Sequence, residues 1–166
     1  MDFAFYLNEF RLAAAEIPQE NLDKEYLKIS VTTVLESAAL KIYKPQWYGD
    51  SKLSEEPSGR IFFSVWINEK TIKEGRLYYN IHALKLRELK NYKITSKDFA
   101  QNFRTEFSRY QEDWPNVNIN FGPLTLMEGW IELKNDTIRK DVSLLAQKFV
   151  KISSIIDKVL EKYEKP

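Results

Sequence analysis

The chain has 166 residues, of which 43% are hydrophobic and 30% charged, enough for one core and too few for two ordinary domains, so a single domain over 1–166 is expected. Having no cysteine, it excludes disulfides, thiolate nucleophiles and thiolate-ligated metals, and a single histidine excludes a histidine-rich metal site. A net charge of +1 gives no global pull toward nucleic acid or a membrane surface.

Residues 1–18 carry Asp2 where a secretion signal needs positive charge, and Asn8, Glu9 and Arg11 interrupt the apolar run. The purely apolar stretches, such as 61–63 and 65–67, fall far short of the roughly 20 residues that cross a bilayer. A cytoplasmic protein with no membrane span is the expectation. Charge is uneven along the chain: residues 1–56 sum to −4 and residues 69–110 to +5.

In chain order, Phe3, Leu7, Phe10, Ala14 and Ile17 recur at helical spacing and Pro18 closes the segment, which predicts a short amphipathic helix. Leu27, Val31, Val34, Leu35, Ala38 and Ile42 suggest a second, longer helix stopped before Pro45, with Glu25, Lys28, Glu36 and Lys41 on its solvated flanks. Residues 46–60 are polar and hold Gly49, Pro57 and Gly59, the chemistry of a surface loop.

Residues 61–68 and 76–86 are rich in aromatic and β-branched side chains and are joined by a polar connection ending at Gly75, so they read as an antiparallel pair. Thr95 and Ser96 precede Phe99, Phe103 and Phe107, predicting a capped helix over roughly 96–110. Val117, Ile119 and Phe121, and then 124–133, suggest two further strands around Gly122-Pro123.

From Ile138 through Val142, Leu145, Phe149, Ile152, Ile156, Val159 and Tyr163 the apolar spacing runs unbroken, predicting one long final helix. Asn135-Asp136-Thr137 reads as its start rather than as a glycan acceptor. A homodimer through this stripe is the alternative to packing against the chain's own sheet. Three of the eight positions flanking the seam are apolar (Ala146, Ile155 and Leu160), a stripe wider than a two-stranded coiled coil needs, which favours the internal packing.

The fold expected is therefore α+β: a small, mainly antiparallel sheet of three to four strands packed with two N-terminal helices, one middle helix and a long C-terminal helix.

Five scattered glycines at 49, 59, 75, 122 and 129 cannot form a dinucleotide-binding or Walker-type phosphate loop, so no nucleotide cofactor is implied, nor any metal. Glu128 and Glu132 on one strand face stand about 13 Å apart, too far for an acid and base pair. Alternation places Ile61, Phe63, Val65 and Ile67 on a plain core face, with Phe62, Ser64, Trp66 and Asn68 on the reverse. Tyr78, Asn80 and His82, and Leu126, Glu128, Trp130 and Glu132, form similar mixed faces. Brought together, these faces would make a wall of rings and hydrogen-bonding groups, although a covering helix is the plainer alternative.

Lys85, Arg87, Lys90 and Arg104 supply positive charge next to Tyr92 and the phenylalanine helix, diluted by Glu88, Asp98 and Glu106. The favoured reading is a noncatalytic binding module for an anionic, nucleic-acid or protein partner. In it Trp66, Tyr78, Asn80, His82 and Trp130 touch the ligand, while Lys85, Arg87, Lys90 and Arg104 neutralise charge. The alternative is a cofactor-independent enzyme with its pocket centred on His82.

Overall fold

The computed structural model describes residues 2–47 and 60–166. Its class is the expected α+β, but the sheet has five strands in meander order, every neighbouring pair antiparallel.

Helix α1 (Phe3–Ala15) begins where the Asp2 carboxylate accepts from the Phe5 amide at 3.0 Å. Its buried face is Tyr6, Phe10 and Ala13, slightly rotated from the expected stripe. A single short turn of helix, α2 (Gln19–Lys24), follows Pro18.

The second long helix does not exist. Its residues form a hairpin, β1 (Lys28–Val34) and β2 (Ser37–Tyr43), closed by the two-residue turn Leu35-Glu36, with Leu35 at φ 55°. The competing signal was period two. Ala38, Leu40 and Ile42 are fully buried, Ile29 and Val31 pack beside them, and the run Ile29-Ser30-Val31-Thr32-Thr33-Val34 is dense in β-branched side chains. Of the 46–60 loop, residues 48–59 lie outside the described residues; Pro45–Trp47 is a single 3₁₀ turn. That turn is pinned by burial: the Trp47 indole N–H donates to Asp157 Oδ1 at 2.9 Å, and Lys44 pairs with Asp157 Oδ2 at 2.5 Å.

The central pair is as read. Strand β3 (Ile61–Ile67) and strand β4 (Arg76–Ala83) are antiparallel and joined by helix α3 (Glu69–Glu74). The connection is set by a reciprocal Asn68/Thr71 capping box at one end and Gly75 at φ 72° at the other. Helix α4 (Ser96–Phe107) is capped by Thr95 and buries Phe99, Phe103 and Phe107.

Only one strand follows, β5 (Thr125–Glu132); of 117–121, Asn118 alone makes a bridge, to Glu128. A bulge opposite Ile81/His82 sets Thr125 against His82 and buries Leu126, which alternation alone had put beside Glu128.

The final helix is broken. Helix α5 (Ile138–Ile152) and helix α6 (Ser154–Glu161) meet at Ser153, whose hydroxyl donates to the Val150 carbonyl at 2.9 Å while Ile156 N–H bonds back to Ser153 at 3.1 Å, tightening one turn. Ile138, Val142, Leu145, Phe149, Ile152, Ile156 and Val159 are buried within this chain, where Phe149 stacks on Phe63 with centroids 4.6 Å apart. No helix among the described residues is long and apolar enough to cross a membrane.

One close approach fixes β4 against β5. The buried Tyr79 ring crosses Gly129 so that its hydroxyl donates to the Pro115 carbonyl at 2.6 Å; a Cβ on Gly129 would fall 2.3 Å from that hydroxyl oxygen. Gly129→Ala therefore lowers unfolding free energy by about 1–3 kcal/mol. Gly122→Ala, whose Cβ meets nothing within 4 Å, changes it by less than about 0.5 kcal/mol. Urea denaturation of the two variants checks the contrast.

Candidate functional site

The inward side chains of β2, β3 and β4 are apolar and merge with the helices into one core, so their alternate positions point to the opposite face. Register aligns that face in rows. One row is Thr32, Ala39, Trp66, Tyr78 and Trp130. The next is Ser30, Lys41, Ser64, Asn80 and Glu128, and a third holds Phe62, His82 and Thr125. All five ligand-contact residues expected from sequence, Trp66, Tyr78, Asn80, His82 and Trp130, thus share one face of three neighbouring strands.

The rings there are largely engaged with one another. Trp66 stacks on Tyr78 at 5.1 Å with planes 22° apart, and the Arg76 guanidinium sits 3.9 Å above the Trp130 ring. Phe62 meets His82 at 5.4 Å and carries the Lys41 ammonium 4.5 Å from its centroid. Beneath them lies a buried polar strip. Ser64 donates to Asn80 Oδ1 at 3.1 Å, and Asn80 Nδ2 donates to Glu128 Oε1 at 3.3 Å.

This face holds a shallow depression of about 370 Å³, lined by strand residues, Leu35 of the hairpin turn and Asn68. Lys41, Phe62, Trp66, His82 and Glu128 are among its walls. Its polar groups are incompletely matched. The half-buried Lys41 has no carboxylate within ion-pair distance among the described residues, and burial pushes its pKa below the usual lysine value. Two further buried groups on the same face, the Trp66 indole nitrogen and the Ser30 hydroxyl, have no hydrogen-bond partner among the described residues. Nearby, His82 Nδ1 lies 3.4 Å from the Leu124 carbonyl and 3.2 Å from the Thr125 hydroxyl. Nδ1 donates to the Leu124 carbonyl in one neutral tautomer and accepts from the Thr125 hydroxyl in the other.

The basic residues go elsewhere. Lys85, Arg87 and Lys90 are exposed beyond the end of β4, and none lines the depression. Arg104 is committed to the backbone: its guanidinium donates to the carbonyls of Phe121, Gly122, Thr125 and Leu126 at 2.9–3.1 Å, holding the turn that leads into β5. Sequence reasoning missed Lys41 and Ser30, because it placed their segment on a helix; the alternation of Ala38, Leu40 and Ile42 is the signal that assigns Lys41 to the outer face. Among the described residues no three His, Asp or Glu side chains converge as metal ligands. No family model, no curated protein and no solved structure matches this chain.

Burial is the main reason that His82 titrates below the ordinary histidine value, opposed by the Leu124 carbonyl and reinforced by the Lys41 charge. The unfolded chain then takes up a proton before the folded one as pH falls through about 6.5. Stability contributed by the neutral ring is complete above that pH and declines below it. Imidazole NMR should give a midpoint under 6.5, and His82→Gln should flatten the stability loss between pH 7 and pH 5. An ordinary midpoint with an unchanged stability profile contradicts the buried, neutral assignment.

Proposed function

We propose that this protein is a noncatalytic binding module that holds a small anionic molecule in the depression on the open face of its sheet. The observation that carries this reading is Lys41: a half-buried ammonium in the wall of the depression with no ion-pair partner among the described residues. A half-buried charge without a counter-charge costs free energy, and an anion in the depression supplies that counter-charge to Lys41. A volume of about 370 Å³ falls in the range of small-molecule sites, roughly 300–1,000 Å³.

A platform for nucleic-acid bases fits less well. Base stacking needs several free ring faces, whereas Trp66 and Tyr78 each give one face to the other and Trp130 carries Arg76 on one of its own. Arg104 keeps its charge but commits its Nε and one terminal nitrogen to carbonyls, so of the four proposed cations it is the one least able to reach a phosphate. The His82-centred enzyme has less support, because among the described residues the hydrogen-bond contacts of the imidazole are the Leu124 carbonyl and the Thr125 hydroxyl, with no carboxylate to orient it for acid–base work.

The test uses 3-phenylpropanoate and its neutral amide, 3-phenylpropanamide, in isothermal titration. The acid should bind and the amide should bind at least tenfold more weakly. Lys41→Met should weaken the acid at least tenfold, leave the amide unchanged and keep the wild-type far-UV circular dichroism spectrum. Equal binding of acid and amide, or a single-stranded (dT)15 that binds more tightly with a steep salt dependence surviving Lys41→Met, would overturn the proposal in favour of a neutral or a nucleic-acid ligand.

A further inference from the structure

Resting on the anion reading above, we infer that the ligand is a zwitterion of the amino acid type, its carboxylate on Lys41 and its ammonium on Glu128, with an apolar body against Trp66 and Leu35. Lys41 and Glu128 stand in the same cross-strand row, separated by Ser64 and Asn80, and both line the depression. Neither has an oppositely charged partner among the described residues. A bare anion would satisfy one of these charges and be repelled by the other. A molecule carrying both signs satisfies both and leaves the complex neutral, since His82 is uncharged at neutral pH.

The two charges lean toward each other across the strands between them: the Lys41 ammonium of β2 sits over Phe62 of β3, and the Glu128 carboxylate of β5 reaches Asn80 of β4. Glu128 is also held ready. Asn80 Nδ2 donates to Oε1, and Asn80 itself is fixed by Ser64, while Oε2 accepts no hydrogen bond from the described residues. Leu35 supports the apolar end: it is 94% exposed, in the left-handed backbone region, at the rim of the depression. An apolar side chain held there in a disfavoured backbone conformation has a use if it closes over an apolar ligand.

Three probes on one carbon skeleton separate the possibilities: L-phenylalanine, 3-phenylpropanoate, which lacks the ammonium, and 2-phenylethylamine, which lacks the carboxylate. In isothermal titration L-phenylalanine should bind at least tenfold more tightly than either. Glu128→Gln should erase that advantage, weakening L-phenylalanine about tenfold while 3-phenylpropanoate binds as well as before or better. Glu128→Asp, which keeps the charge and shortens the side chain, should give a smaller loss and guards against a folding defect in the first variant. If 3-phenylpropanoate matches L-phenylalanine and neither responds to Glu128→Gln, the zwitterion is overturned and the anion site stands. If none of the three binds the wild-type protein, both fall.

Discussion

The packing of the core helices, among the described residues, against the inward face of the sheet is the constraint from which the rest follows. Strand β3 is central, and its Ile61, Phe63, Val65 and Ile67 are fully buried, Phe63 between the Phe149 and Trp114 rings. Once those four are fixed inward, a strand's two-residue period sends Phe62, Ser64 and Trp66 outward. The partners inherit the same division through register, and a slip of one residue would exchange the two faces altogether. The chemistry of the outer face is thus a by-product of how strongly the inner face is specified.

The contrast between satisfied and unsatisfied polar groups gives the outer face its meaning. Elsewhere polar groups are matched: the buried Lys44 and the Trp47 indole both reach Asp157, Arg104 spreads over four carbonyls, and at the surface Arg139 grips Glu9 with two hydrogen bonds. Among the described residues, Lys41 on the outer face has no ion-pair partner and the Trp66 nitrogen and Ser30 hydroxyl of that face have no hydrogen-bond partner, whereas buried polar groups are normally paired.

The legible parts of this fold were those whose signal is local. Helix α4 announced itself through Thr95 and a phenylalanine stripe, and β3 and β4 through aromatic and β-branched density around Gly75. The β1–β2 hairpin was hidden because Leu27, Val31, Val34, Leu35, Ala38 and Ile42 also satisfy a helical spacing; only the tertiary arrangement, which buries Leu40 and exposes Leu35, decides for strands. That error removed Lys41 from the candidate site. Arg104 looked like a free cation because its carbonyl partners lie 17–22 residues away, in a turn whose geometry no local pattern encodes. The break at Ser153 was invisible for the opposite reason: the apolar spacing continues through it, and only one hydroxyl and a tightened turn mark it.

The meander has a consequence for how the molecule comes into being. Each strand is laid beside the one synthesised just before it, so the sheet can grow in step with the ribosome from β1 to β4, with β5 alone pairing across a long insertion. The ammonium-bearing half of the outer face is therefore complete while Glu128 and Trp130 have yet to be made. Their strand arrives after α4, and α5, whose Arg139 reaches back to Glu9 near the amino terminus, then closes the core behind it.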